Sequence, residues 1–197
     1  MNALDGFEAI NAAYRARVTR YLTGLVGDAT QAEDLTQEAL LRVHRGLRDL
    51  RDPEARTAWV FRIATNVAFD HLRTPAARLA GRMVSVDSGV DADEPSGIEL
   101  STDDPSAESG LVQSEMAECL RRYIDRLSPT LRATLILRDL EGLGEQAVAE
   151  ALGCSLAAVK VRAHRARRAL RALLRAECEF YEDRRGVLLC EPAGGPR

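Results

Sequence analysis

A dense basic run, VKVRAHRARRALRALLR from Val159 to Arg175, carries the first chemistry that the sequence suggests. Its cationic side chains repeat at helical spacing on one side of the run, at Lys160, Arg162, His164, Arg165, Arg167, Arg168 and Arg171. The formal net charge of the whole chain is -3, so this positive charge is local. Lys and Arg at the start of a helix can reach guanine edges in the major groove, and later ones contact phosphates. The alternative is a solvated basic face that balances acidic segments elsewhere.

The residues around this run predict a helix-turn-helix. EQAVAEALG is a short amphipathic helix, GCS is a turn at Gly153, and LAAVKVRAHRARRALRALL is a second helix. The second helix has one apolar stripe, formed by Val159, Ala163, Ala166, Leu170 and Leu173. Because the positive charge coincides with the recognition position of this motif, DNA binding is favoured over the solvated face.

A second polar face lies earlier, along RTAWVFRIATNVAFDHLR. Its members fall three or four residues apart, at Trp59, Arg62, Asn66, Asp70 and Arg73. An aromatic ring, an amide and charges on one face can stack and hydrogen-bond unpaired bases. Trp59 as a core residue is an even alternative, whereas a mid-helix Asn66 is harder to explain by packing.

Upstream, AEDLTQEALLRVHR carries three polar residues opposite its apolar stripe, namely Asp34, Gln37 and Glu38. They form a surface able to dock a basic partner. An ordinary solvated face explains them as well, and composition alone favours that explanation.

The elements that carry these residues are predicted to be helical. Apolar residues recur at three and four in two stripes, formed by Leu35, Ala39, Val43 and Leu47, and by Val60, Ala64, Val67 and Leu72. Asp52 with Pro53, and Ser128 with Pro129, are suited to helix starts. From Val84 to Glu118 the chain is acidic, contains no Lys or Arg, and is rich in Ser, Gly and Pro.

We therefore predict an all-α protein with two small helical domains joined by a flexible acidic linker. The predicted boundaries are 1–80 for the first domain, 81–113 for the linker, 114–176 for the second domain and 177–197 for a tail.

Other classes of protein fit the sequence less well. It has no Gly-rich phosphate loop and no His pair at ligand spacing, which argues against an enzyme. It has no apolar run near the ~20 residues of a membrane span and no secretory signal pattern, so we expect a cytoplasmic protein. A DNA-binding regulator that makes no contact with RNA polymerase remains the main alternative.

The chain closely resembles the extracytoplasmic-function sigma factors of bacterial RNA polymerase. The motifs that carry the resemblance occur in order: AEDLTQEALLRVHRGLRDL, AWVFRIATNVAFDHLR, an acidic linker, and LSPTLRATLILRDLEGLGEQAVAEALGCSLAAVKVRAHRARRAL. The resemblance covers nearly all of the chain except about the last twenty residues. It implies that the first domain is conserved region two and the second is region four, both helical.

The resemblance also implies roles for individual residues. Asp34, Gln37 and Glu38 would contact the coiled coil of the polymerase β′ clamp, and region four would contact the β flap. The loop at Leu50 and Arg51, with Trp59, Asn66, Asp70 and Arg73, would bind the melted −10 element and capture a flipped base. The −35 element would be read by Lys160, Val161, Arg162, His164 and Arg165. The linker would enter the polymerase cleft, and an anti-sigma factor would be a further partner.

The sequence departs from the family pattern at the reading helix. Ala157, Ala158 and Val161 stand where hydroxyl residues are frequent, which removes possible hydrogen bonds to DNA. The identity of the −35 sequence is therefore open.

The tail carries two of the four cysteines, Cys178 and Cys190. EFYED and GVLL are predicted to form a hairpin that turns near Gly186 and brings these two thiols close together. Cys119 would be a third thiol of this cluster if the first and last helices of the second domain pack side by side. With a carboxylate from Glu179, Asp183 or Glu191, these thiols would suit zinc or copper, although no cofactor is required. His164 is excluded as a ligand because the helix would place it ~21 Å from Cys178. Some sigma factors of this type sense metal through C-terminal cysteines, so the tail resembles a sensor in which metal or oxidation at Cys119, Cys178 and Cys190 would shift the second domain between polymerase-competent and incompetent arrangements. The favoured alternative is four unlinked thiols, with Cys154 a small buried residue.

Overall fold

The computed structural model describes residues 3–50, 52–74, 119–182 and 188–193. Its N-terminal half contains three helices, α1 (Ala3–Val26), α2 (Ala29–Gly46) and α3 (Arg56–Leu72), with a 3-10 turn at Leu47–Asp49. Its C-terminal half contains α4, whose described part is 119–124. The remaining elements are α5 (Pro129–Leu135) with a π-helical turn at Ile136–Leu140, α6 (Glu145–Leu152), α7 (Leu156–Glu177), β1 (Cys178–Glu182) and β2 (Leu188–Pro192). The helical prediction is confirmed, with one hairpin added to it.

The N-terminal half is a three-helix unit in which α1, α2 and α3 pack on one another. The second predicted stripe is buried at all four positions, and Ala39 and Val43 of the first stripe are buried as well. Leu35 and Leu47 lie partly buried against the same core. Tyr21 is fully buried, its ring edge-on to Phe61 and its hydroxyl 2.8 Å from Thr65 Oγ1. Hydrophobic periodicity thus predicted these faces well.

The C-terminal half brings α5, α6 and α7 together, with the hairpin following α7 directly. Strands β1 and β2 are antiparallel, with Cys178 opposite Pro192 and Phe180 opposite Cys190. The predicted hairpin is therefore present, although Gly186 lies outside the described residues.

The two halves share one hydrophobic core. Helix α1 approaches α5 at Gly24, where an added Cβ would lie only 2.9 Å from Ile136 Cδ1. The Arg132 guanidinium, 4% exposed as a residue, donates to the Leu25 carbonyl oxygen at 2.9 Å and to that of Leu127 at 3.2 Å. It also bonds the Asp125 carbonyl. Burial lowers the Arg132 pKa, and the Asp125 carboxylate opposes that shift.

A second polar contact between the halves lies at Glu141, whose side chain is 1% exposed. Arg17 Nε donates to Glu141 Oε2 at 3.0 Å, and Arg20 Nε donates to Oε1 at 2.9 Å. The Arg17 guanidinium also stacks 5.3 Å from the Phe61 ring centroid. Each carboxylate oxygen therefore has a charged donor from α1.

The helix starts agree only in part with the sequence. Ser128 and Pro129 begin α5, and Gly142 at φ 68° follows its end. Asp52, however, caps a turn by accepting from the Glu54 N–H at 2.9 Å, and α3 begins later, at Arg56. The prediction that Asp52 caps α3 was wrong, because the Pro53–Arg56 turn comes between them. None of the helices in the described ranges is long and apolar enough to cross a membrane.

Candidate nucleic-acid and polymerase interfaces

Two local caps build the predicted helix-turn-helix. Gly153 adopts the left-handed conformation at φ 60°, and its N–H bonds the α6 carbonyls of Ala149 and Glu150. Cys154 N–H then bonds the Ala149 carbonyl at 3.0 Å, which closes the end of α6. Ser155 starts α7 by accepting from the Ala158 N–H at 3.1 Å. This short turn fixes the direction in which α7 leaves α6.

The start of α7 presents its predicted reading residues on the outer face. Val159, Ala163 and Ala166 are buried, so the residues between them turn outward. Lys160, His164 and Arg165 are exposed and Arg162 is partly exposed. Lys160 Nζ lies 3.7 Å from Glu145 Oε2, a long contact. His164 and Arg165 form no ion pair with any residue that the structure describes.

Val161 is an exposed apolar residue within this basic surface, with 49% of its area accessible. A β-branched methyl group here is suited to contact the C5-methyl of thymine. Its exposure separates it from the buried stripe of α7.

Farther along α7, the basic side chains are partly used within the protein. Arg167 Nε donates to Asp139 Oδ2 at 2.9 Å, and this hydrogen bond raises the Arg167 pKa. Arg168 and Arg171 also have interaction partners. The basic stripe expected from the sequence therefore has two parts. Its residues up to Arg165 are largely exposed to solvent, whereas Arg167, Arg168 and Arg171 interact with other residues of the protein.

The polar face of α3 is largely as predicted. Arg62, Asn66, Asp70 and Arg73 are exposed. Trp59 differs, because it lies half-buried against the core, where its Cζ2 would be 3.1 Å from a Cβ added at Gly46. The core explanation for Trp59 therefore describes most of its contacts. Leu50 is half-buried after the 3-10 turn, and Arg51 lies outside the described residues.

The polar residues of α2 join this face through Arg42, which the sequence reasoning missed. Asp34 and Gln37 are exposed, and Glu38 Oε1 accepts from Arg42 Nε at 2.8 Å. Arg42 Nη1 also lies 3.9 Å from Asp70 Oδ2, and Asp70 Oδ1 lies 3.3 Å from Arg73 Nη1. The i,i+4 spacing of Glu38 and Arg42 was the signal available in the sequence.

Leu41 is a second residue that the sequence reasoning missed. It is 48% exposed, and it follows Gln37 by one helical turn. The α2 surface therefore combines polar groups with one open apolar side chain, a composition suited to a protein partner.

The structure gathers three of the cysteines. Cys178 is buried, and its Sγ donates to the Tyr123 hydroxyl at 3.2 Å, a bond that raises the Tyr123 pKa to about 12. Burial raises the Cys190 pKa, and the neighbouring Cys119 and Cys178 thiols raise it further. Cys154 is partly buried against the core.

The metal prediction receives less support. No group of three or more His, Cys, Asp or Glu side chains in the described parts of the chain is arranged to hold a metal ion. Glu179 is exposed, whereas Asp183 and the side chain of Glu191 lie outside the described residues.

Comparison with known proteins identifies both halves. The profile of Sigma-70 region 2 matches residues 11–93, and that of Sigma-70 region 4 matches residues 117–170. The RNA polymerase sigma-H factor of Pseudomonas aeruginosa is 31% identical over 164 residues, which cover 83% of each protein. The ECF RNA polymerase sigma factor SigE of Mycolicibacterium smegmatis is 31% identical over 87% of this chain and 63% of its own length.

A solved structure agrees in fold. The sigma factor RpoE of Bartonella quintana, crystallised with the anti-sigma factor NepR, superposes with a TM-score of 0.61 at 19% identity. The superposition covers 86% of this chain and 97% of that one. With both sigma profiles in order on one chain, we conclude that this protein belongs to the extracytoplasmic-function sigma factors, non-enzymatic proteins that bind core RNA polymerase and direct promoter-specific transcription.

Proposed function

We propose that this sigma factor divides promoter recognition between the start of α7, which reads the −35 element, and the outer face of α3, which binds the melted −10 element. The observation that carries the proposal is the difference in pairing along α7. His164 and Arg165 make no ion pair with any described residue, whereas Arg167 is bound to Asp139. Side chains without a partner among the described residues remain available for DNA.

At the −35 element, Lys160, Arg162, His164 and Arg165 supply hydrogen-bond donors to base edges and phosphates. Val161 supplies an apolar contact, and its exposure supports this role. A hydroxyl residue at this position would donate a hydrogen bond to a base edge or accept one from it. The apolar Val161 instead favours a site with a thymine methyl group at the contacted position. The residues thus predict a −35 element that contains both guanine and thymine at the contacted positions.

At the −10 element, Asn66 is the central residue of the proposal. It is exposed in the middle of α3, where an amide has no packing role, and its side chain can hydrogen-bond the edge of an unstacked base. Leu50, Arg51, Asp70 and Arg73 would flank that base. Trp59 contributes by positioning the loop, because its ring packs at Gly46 just before the 3-10 turn.

For polymerase binding we propose the α2 surface formed by Asp34, Gln37, Glu38 and Leu41, with the β′ clamp coiled coil as its partner. Region four would contact the β flap. The ion pairs of Arg42 with Glu38 and Asp70 support a coupling between this surface and the −10 face. Docking of polymerase on α2 would then reposition Asp70 next to the melted strand.

The direct test is promoter-specific transcription with core RNA polymerase and this protein as the only sigma factor. Genomic promoter fragments should yield discrete transcripts, and an Asp34→Arg variant should reduce them at least tenfold by opposing the clamp. Glu8→Arg is a matched control, because Glu8 is an exposed carboxylate on a different helix, α1. A loss of transcription with Glu8→Arg equal to that with Asp34→Arg would remove α2 from the proposal.

Regulation and location complete the proposal. A cytoplasmic location follows from the partner, because bacterial core polymerase works on the chromosome in the cytoplasm. An anti-sigma protein is a further proposed partner, since RpoE of Bartonella quintana was crystallised with one. Affinity capture of the tagged protein from its own cells would identify such a partner.

The sequence predicts zinc or copper at Cys119, Cys178 and Cys190, and the proposed function does not include this metal. The side chains in the described part of the chain are not arranged as a metal site. The proposed sigma activity requires no cofactor. Elemental quantification of metal in protein purified without chelators would decide the point.

A further inference from the structure

The hairpin that follows α7 is docked against the helix that opens the C-terminal half. Arg126 Nη1 lies 2.6 Å from Glu177 Oε1, and Cys178 Sγ lies 3.2 Å from the Tyr123 hydroxyl. The Ala193 N–H bonds the Glu177 carbonyl oxygen at 2.9 Å, which closes the open end of the hairpin. The Cys178–Tyr123 contact joins β1 to α4, and the other two contacts join the end of α7 to the turn after α4 and to the end of β2.

This docking brings three reduced cysteines together from three elements. Cys119 precedes Tyr123 by one turn of α4, so both side chains lie on the helix face that meets the hairpin. The strand register places Cys178 and Cys190 on one face of the hairpin, because Cys178 is opposite Pro192 and Cys190 is opposite Phe180. Cys190 therefore shares a hairpin face with Cys178, whose Sγ lies 3.2 Å from the hydroxyl of Tyr123, one helical turn from Cys119. Burial and the nearby Cys119 and Cys178 thiols raise the pKa of Cys190. All three cysteines are free thiols.

The strand register also decides which pair can form a bond. Cys178 and Cys190 are diagonal neighbours on the hairpin, and such Cα atoms are separated by about 7–8 Å, beyond the usual reach of a disulfide. Cys178 is in addition buried and bonded to Tyr123. Cys119 and Cys190 lie on different elements and are half-buried, and the Cys178–Tyr123 contact together with the strand register brings these two elements side by side.

We propose that this cluster is a thiol–disulfide site, in which Cys119 and Cys190 form a disulfide bond between α4 and β2 by exchange with a small-molecule disulfide such as oxidised glutathione. One of the two thiols, as a thiolate, attacks a glutathione sulfur and releases one glutathione thiolate. The second cysteine attacks the mixed disulfide and releases the other. Two electrons and two protons pass from the cysteine pair to glutathione, which leaves as two reduced molecules.

Burial and the neighbouring thiols raise the pKa of Cys190, so its thiolate is less populated than that of an exposed cysteine. Thiol–disulfide exchange requires a thiolate, so the glutathione buffers must be given time to reach equilibrium before the thiols are blocked.

The disulfide would enclose the whole helix-turn-helix within one covalent loop, from Cys119 to Cys190. A loop of this length restricts the unfolded chain strongly. The oxidised protein should therefore unfold at a higher urea concentration than the reduced protein, while the start of α7 remains exposed. The site would tie the tail to the DNA-binding half under oxidising conditions.

The test uses the full-length protein equilibrated in buffers of varied ratio of oxidised to reduced glutathione. Remaining thiols are blocked with N-ethylmaleimide, and the digest is mapped by mass spectrometry. The expected result is a peptide that joins Cys119 to Cys190 within one chain, with Cys154 and Cys178 alkylated, and full reversal by dithiothreitol. Cys154→Ser should leave the map unchanged, and Cys178→Ser should retain the Cys119–Cys190 peptide.

Other outcomes would overturn the proposal. These are a Cys178–Cys190 peptide as the main product, disulfides only between chains, or four alkylated cysteines in the most oxidising buffer. Protection of all three cysteines by bound zinc in the purified protein would show a metal site instead. The wild-type map alone decides among these outcomes, so the proposal does not depend on the folding of a cysteine variant.

Discussion

Arginines serve two different purposes in two regions of the C-terminal half. At the contact with the N-terminal half, Arg132 is buried and its guanidinium bonds three backbone carbonyls. On the start of α7, Arg165 is exposed and forms no ion pair with a described residue. A buried charge whose hydrogen-bond partners all lie inside the protein stabilises the fold. An exposed charge without an ion-pair partner is available to bind a ligand. Pairing, rather than residue type, therefore distinguishes the two roles.

Arg132→Met should have the largest effect. The substitution leaves the carbonyls of Leu25, Asp125 and Leu127 buried without a donor, so we expect a loss of about 3 kcal/mol in unfolding free energy. Urea denaturation followed by circular dichroism measures it. Arg175→Met, at an exposed site on α7, is the control and should change stability by less than about 0.5 kcal/mol. Equal losses in both variants would contradict the structural role of Arg132.

Arg165→Ala should change recognition without changing stability. Each good base contact contributes about 1–3 kcal/mol to discrimination, so the holoenzyme should lose about tenfold or more of its preference for a cognate over a scrambled −35 element. Competition binding with the two promoters measures this preference. Lys160→Ala should act in the same direction, but less strongly if its contact with Glu145 persists on DNA. An unchanged preference in both variants would remove α7 from the reading role.

The contact of Arg17 with Glu141 should contribute about 1 kcal/mol to the free energy of unfolding. A double-mutant cycle with Arg17→Ala and Glu141→Ala isolates the interaction, since the Glu141 side chain is buried and each of its oxygens accepts a charged donor. The exposed i,i+4 pair Arg42–Glu38 is the control, with about 0.3–0.5 kcal/mol expected. A coupling energy no larger than that of the control would show that the side-chain contact between Arg17 and Glu141 does not hold the two halves together.

Arg167→Ala should have the smallest effect. Arg167 and its partner Asp139 are both exposed residues, so we expect a loss of only about 0.5 kcal/mol in unfolding free energy. The preference for the cognate −35 element should stay close to that of the wild type. If the variant loses as much preference as Arg165→Ala, then Arg167 leaves Asp139 when DNA binds and is a reading residue.

Much of this organisation could be predicted from the sequence. Periodicity identified the buried faces of α3 and α7, because a helix repeats its neighbours every three or four residues. Gly153 and Ser155 marked the turn, since each has the backbone or side-chain chemistry that a cap requires. The tail hairpin was predicted from the segments EFYED and GVLL on either side of Arg184 and Arg185.

Contacts between segments that are distant in the chain could not be predicted from the sequence. Arg132 with Leu25, Glu141 with Arg17, and Arg42 with Asp70 each depend on how helices pack in three dimensions. Trp59 illustrates the limit within one helix, because its spacing fits the polar face while its ring packs toward Gly46. Local patterns indicate which face a residue is on, but not which partner neutralises it.

The measurement that tests the division of recognition most directly compares Arg165→Ala with Asn66→Ala in holoenzyme on one promoter. Closed-complex affinity is measured by competition binding, and strand opening is measured by permanganate footprinting at saturating holoenzyme. We predict that Arg165→Ala weakens closed-complex binding at least tenfold yet opens normally once bound. Asn66→Ala should bind normally but open several-fold more slowly, because the captured base would no longer offset the cost of unstacking. Equal opening rates for Asn66→Ala and the wild type, or loss of the same step in both variants, would contradict the division.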